Sequence, residues 1–148
     1  MQGIQGTSCS LIAFAQFSQI GTQPLAILAG NAFAFSTTIF SVGSIIASTS
    51  SYPGGTIFTL PNIGYYEISY QMSYPVIGGV VIYVGVTSTS LSALAYTTNN
   101  AIVNGQLSAS VLIKTTTINS FLSINSIGAI PLTTTPTSGD VVSIKQIG

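Results

Sequence analysis

The chain has 148 residues, of which only four are charged: Glu67, Lys114, Asp140 and Lys145. An average soluble domain carries charge at about a quarter of its positions. Two cations cannot neutralise a nucleic-acid backbone, steer an anionic substrate or hold an acidic membrane surface by charge. Two acids in a chain without His supply neither a usual metal site nor an acid–base dyad.

The length fits one domain, and 47% hydrophobic residues can fill a sizeable core. Despite a mean hydropathy of +0.65, the longest run without polar side chains, Val76 to Val86, is shorter than the roughly 20 residues of a spanning helix. No membrane insertion is therefore expected. Alternation of apolar residues with Ser and Thr also fits an outer-membrane barrel, a second and weaker reading. The first residues hold no cationic segment of the kind that opens a secretory signal.

In chain order, the sequence begins with two Gly-X-Y triplets, Gly3-Ile4-Gln5 and Gly6-Thr7-Ser8. Glycine at every third position is what the crowded axis of a collagen triple helix demands. Residues 1–8 are read as the end of a collagen-like stalk and 9–148 as the globular head. Cys9 follows directly. With no His to activate it, this thiol is not a catalytic nucleophile. It is an incidental thiol or, in an assembly that brings copies together, a candidate interchain disulfide.

Two or three strands are expected between residues 11 and 47. Turn signals then recur: Pro53-Gly54-Gly55, Pro61-Asn62-Ile63-Gly64, Gly78-Gly79, Asn99-Asn100, Asn104-Gly105 and Ser138-Gly139-Asp140. The clearest strand is 64–74, where Tyr66, Ile68, Tyr70 and Met72 share one face and Glu67, Ser69, Gln71 and Ser73 the other. The next is 106–114, with Leu107, Ala109, Val111 and Ile113 facing one way. Asn104-Gly105 before it is a hairpin signal. Residues 79–86, 119–127 and 140–147 complete the set. No amphipathic helix is found. About ten short antiparallel strands predict an all-β jelly-roll sandwich.

The candidate chemistry is sparse. Glu67 lies mid-strand and Asp140 in a turn, so the only two carboxylates are read as a solvated strand residue and a turn residue rather than a glycosidase pair. No catalytic residue, metal ligand or cofactor is expected. Tyr pairs apolar area with a polar tip and suits contact surfaces. Tyr52, Tyr65, Tyr83 and Tyr96 are candidates for exposure, and all but Tyr65 are candidate contact residues.

Three stretches together resemble a family. Gly64-Tyr65-Tyr66-Glu67-Ile68-Ser69-Tyr70 looks like the Gly-x-Tyr-x-Phe strand of the complement-q and tumour-necrosis-factor-like (TNF-like) jelly rolls. Ala32-Phe33-Ala34-Phe35-Ser36 is similar to their early strand, and Gly139-Asp140-Val141-Val142-Ser143-Ile144 resembles their closing strand. The texture is most similar to the C-terminal domain of the collagen-like glycoproteins of the Bacillus exosporium. The resemblance implies a homotrimer that caps a filament and nucleates its stalk. On it, Phe33, Phe35, Tyr66, Ile68, Tyr70, Val142 and Ile144 are core or trimer-packing positions. The expected partner is the chain itself, then a filament or coat protein reached through the stalk, and in the alternative a glycan or host receptor. Nucleic acid is not expected. The expected location is extracellular or on a spore surface, where two lysines and no arginine leave only two tryptic sites.

Overall fold

A computed structural model describes residues 12–19, 30–49, 55–72, 80–97, 107–128 and 140–148. They form ten strands: β1 (Phe14–Gln19), β2 (Thr37–Val42), β3 (Ile46–Thr49), β4 (Thr56–Leu60), β5 (Gly64–Met72), β6 (Val80–Thr87), β7 (Ser90–Thr97), β8 (Leu107–Thr115), β9 (Ser120–Ser126) and β10 (Asp140–Gln146). No helix occurs among the described residues. The first sheet runs β2-β1-β10-β5-β8 and the second β3-β4-β9-β6-β7, with every pairing antiparallel. This is a jelly-roll sandwich of two open sheets, each with two edge strands, which sets aside a closed outer-membrane barrel.

Alternation decides which side of each strand faces inward. On β5, Tyr66, Ile68, Tyr70 and Met72 are buried while Tyr65, Glu67 and Gln71 are exposed. On β10, Val142 and Ile144 are buried and Lys145 is exposed. From the second sheet come Phe58, Leu60, Val80, Ile82, Leu122 and Ile124. The rings of Phe17 and Phe58 meet between the sheets at 4.9 Å, and Phe35 stands 5.8 Å from Phe58. Burying each such side chain stabilises the fold by about 1.5–3 kcal/mol.

Three expectations are corrected. Asn104-Gly105 lies outside the described residues, but the strands on either side of it, β7 and β8, belong to different sheets. β7 and β8 therefore do not pair with each other as a hairpin. Ala32–Ser36 is not a strand. Ala32 makes one isolated bridge to Asn125, and the segment then divides its bonds between two strands. Phe33 N–H donates to the Ile124 carbonyl (2.8 Å), whereas the Phe33 carbonyl accepts from Thr56 N–H (3.0 Å). The Phe35 N–H goes to Thr56 Oγ1 at 2.7 Å. Phe33 and Phe35 are nonetheless fully buried. Finally, Asp140 is not a solvated turn residue. It opens β10 opposite Gln19 and is 1% exposed.

Because successive strands reverse direction, the short turns at 43–45, 61–63, 88–89 and 116–119 gather at one end of the sandwich, where residues 12–13 and 147–148 also lie. That end is knitted by hydrogen bonds. Tyr65 N–H donates to the Gly148 carbonyl (2.6 Å), Ile147 N–H to the Tyr65 carbonyl (2.8 Å) and Asn119 N–H to the Pro61 carbonyl (3.2 Å). The Tyr66 hydroxyl donates to the Asn62 carbonyl at 2.9 Å and lies 3.0 Å from the Asn62 N–H.

Candidate self-association surface

The outer faces of the two sheets differ. On the second sheet, Ile57, Val81, Ser123 and Asn125 lie on the side away from the core, yet each is at most 2% exposed. Ser123 Oγ donates to Asn125 Oδ1 (2.6 Å), and Asn125 Nδ2 donates to the Gly30 carbonyl (2.8 Å). Around these residues the face is covered, while at its β3 edge Ile46 and Ser48 are exposed. The outer face of the first sheet is open.

Register sorts that open face into rows, because directly opposed residues of antiparallel strands share a side. The row nearest the turn end that spans all five strands reads Val42, Phe14, Lys145, Glu67, Leu112. The next reads Phe40, Gln16, Ser143, Ser69, Ser110. Phe14 and Phe40 form an edge-to-face pair at 5.6 Å and 64°, although both remain more than two-fifths exposed. Lys114 Nζ sits 5.5 Å from the centre of the Tyr65 ring. Ser69 Oγ and Ser110 Oγ share a hydrogen bond at 3.1 Å. Across the middle runs an open depression of about 530 Å³, lined by Gln16, Ser69, Gln71, Ser108, Ser110, Val141 and Ser143.

The face therefore carries Glu67, Lys114 and Lys145, three of the four charges of the chain, beside exposed aromatic and aliphatic groups. Apolar anchors ringed by hydroxyls, amides and both signs of charge are the makings of a protein contact. Glu67 faces outward while Asp140 is buried at the opposite end of β10, so the carboxylates do not converge. Among the described residues no three His, Cys, Asp or Glu side chains cluster.

The sequence-derived positions distribute as follows. Tyr66, Ile68, Tyr70, Val142 and Ile144 point into the sandwich with Phe33 and Phe35. Burial raises the Tyr66 hydroxyl above its ordinary pKa of 10.0, against a smaller opposing pull from its bond to Asn62. Tyr65 is exposed. Tyr83 is half-buried on β6, within the second sheet, rather than freely exposed. The Tyr96 backbone pairs with Val81 on β7. Cys9, Tyr52 and the Gly-X-Y triplets lie outside the described residues. Sequence reasoning passed over Phe14, Gln16, Phe40 and Leu112. Each is one member of a short alternation, and only the sheet order shows that they share a face.

No family model matches the sequence, and no curated protein sequence matches it. Solved structures do match. The chain is similar to the vertex protein P5 of PRD1, with a TM-score of 0.53 and 15% identity over 94% of this chain and 99% of that one. It is also similar to murine APRIL, with a TM-score of 0.52 and 11% identity over 89% of this chain and 98% of that one. Both are TNF-like jelly rolls. The fold of this chain is therefore a TNF-like jelly roll.

Proposed function

We propose that this chain is the structural head of a surface assembly, a homotrimer held through the open face of the β2-β1-β10-β5-β8 sheet. The observation that carries this reading is the contrast between the sheets. One outer face is covered across Ile57, Val81, Ser123 and Asn125 and open only at its β3 edge, and the other presents Phe14, Phe40, Tyr65 and Leu112 beside three charges. A closed threefold contact hides such a face without leading to open fibres. The head does no chemistry and uses no cofactor. It aligns three copies and, given the two Gly-X-Y triplets, caps a collagen-like filament on an extracellular surface, that of a bacterial spore. Introducing a charge at either of two places on the face tests this: Gln16→Lys and Leu112→Lys should yield folded monomers. Both variants retaining the assembled mass would refute it.

A second reading is favoured by the likeness to a vertex protein: a recognition head, of the adhesin or phage-fibre kind, that contacts a glycan or host protein. A glycan array read with Tyr65 and Tyr83 variants separates the two readings.

A further inference from the structure

The whole sequence holds two cationic and two anionic side chains, since Arg and His are absent. Both cations and one anion lie on the open face of the first sheet, and register fixes their places. Lys145 stands directly opposite Glu67. Glu67 faces Leu112 on β8, so Lys114, two residues on, is its diagonal neighbour on the same side. The one carboxylate of the face therefore sits between two lysines. Lys114 leans over the Tyr65 ring, its ammonium 5.5 Å from the ring centre. The second carboxylate is out of reach. Asp140 shares the inward side of β10 with Val142 and Ile144 and is buried. Gly148 lies at the rim rather than on the face, held in the plane of the sheet by the bond from the Tyr65 amide.

A single chain in water carries this surplus of one positive charge easily, because each ammonium keeps its hydration. The homotrimer does not. Two lysines and one glutamate from each of three copies put six and three on the closed contact. The surplus is three positive charges whatever the angle between the copies, because the sequence has no other charged side chain to offset it. Like charges gathered at an interface cost free energy, and a buried charge left without a counter-charge is strongly destabilising.

We infer, resting on the homotrimer reading, that the assembled head binds a multivalent oxyanion of the phosphate or sulfate kind against the Lys114 side chains of its three copies. Three features select this ligand. A surplus of three positive charges calls for an anion with more than one negative charge. The lysine ammonium is a compact, hydrogen-bonding point charge that suits oxyanion oxygens, and a tetrahedral oxyanion presents three of its oxygens with the same threefold symmetry as the copies. Finally, the rest of the face is lined with neutral groups able to donate, Ser69, Ser110, Ser143 and Gln16. A closed contact admits a small ion and no polymer or lipid. One chain with two cations does not hold an anion by charge; assembly triples the cations and removes the water between them.

The test is sedimentation equilibrium of the full chain in a chloride buffer, with low-millimolar sodium phosphate or sulfate added, against sodium chloride of matched ionic strength. Phosphate and sulfate should each tighten trimerisation of the wild type at least roughly tenfold once the anion is well above its dissociation constant. Matched chloride, which only screens, should do much less. Equilibrium dialysis should find one phosphate bound per three chains. Lys114→Gln, shown to be folded by its melting temperature, should assemble without oxyanion at least as tightly as the wild type and respond no more to phosphate than to chloride. The inference is overturned if phosphate acts on the wild type no better than matched chloride, or if Lys114→Gln responds as the wild type does. The wild-type comparison decides alone should the variant not fold. A trimer indifferent to phosphate would sink this inference and leave the homotrimer standing, whereas a single-chain mass in every buffer would sink both.

Discussion

Glu67 and Lys145 stand directly opposite each other on β5 and β10, with Val42, Phe14 and Leu112 completing their row on the open face. Opposite charges in such a cross-strand position contribute roughly 0.2–1 kcal/mol, and like charges destabilise. Lys145→Glu should therefore lower stability by up to about 1 kcal/mol and weaken self-association. The double exchange Glu67→Lys, Lys145→Glu should recover most of both losses. Urea unfolding and sedimentation of the wild type and the two variants measure this, and failure of the exchange to rescue would show that the two charges act separately.

The ring contact between Phe17 and Phe58 joins the two sheets. Phe58→Ala removes a fully buried ring from a close-packed interior and should cost about 3–5 kcal/mol. Phe14→Ala, at a position 42% exposed, should cost the isolated fold well under about 1 kcal/mol. Thermal melts of the two variants check the contrast.

Gly64 adopts φ of +154°, and a Cβ there would run into the carbonyl oxygen of Gly148. That oxygen accepts the Tyr65 N–H, which ties the C-terminal residues to β5. Gly64→Ala should destabilise by about 1–3 kcal/mol through backbone strain and loss of this closure. An unchanged urea midpoint would show that the end of the chain yields freely.

Tyr66 sets the alkaline limit. Its hydroxyl is held above the ordinary value of 10.0 by burial. The unfolded chain therefore loses this proton first as pH rises, and between the two pKa values it binds fewer protons than the folded chain. Stability is then intact below about pH 10 and falls as pH climbs through the folded value. Tyr66→Phe should lose this part of the alkaline decline, at the cost of the bonds to Asn62. Melting temperatures of both proteins across pH 8 to 12 would show whether the slopes differ as expected.

β5 was legible in the sequence because its inner face meets the core and its outer face meets water, which writes a period of two into nine residues. β4 was not, because Ile57 and Phe58 are both buried and a strand covered on both sides shows no alternation. Phe33 and Phe35 read as strand residues for a related reason. Burial of alternate side chains needs only an extended segment, and the hydrogen-bond partners that make a strand are set by distant residues. The open face was the least legible feature. Its rows gather residues from β1, β2, β5, β8 and β10, and only the sheet order brings them together.

The central claim is that three copies close over the face bearing Phe14, Gln16 and Leu112. The measurement that tests it most directly is the mass of the wild-type protein in solution by light scattering. A mass three times the 15.2 kDa of the chain is the predicted result. A single-chain mass across the accessible concentration range would contradict it.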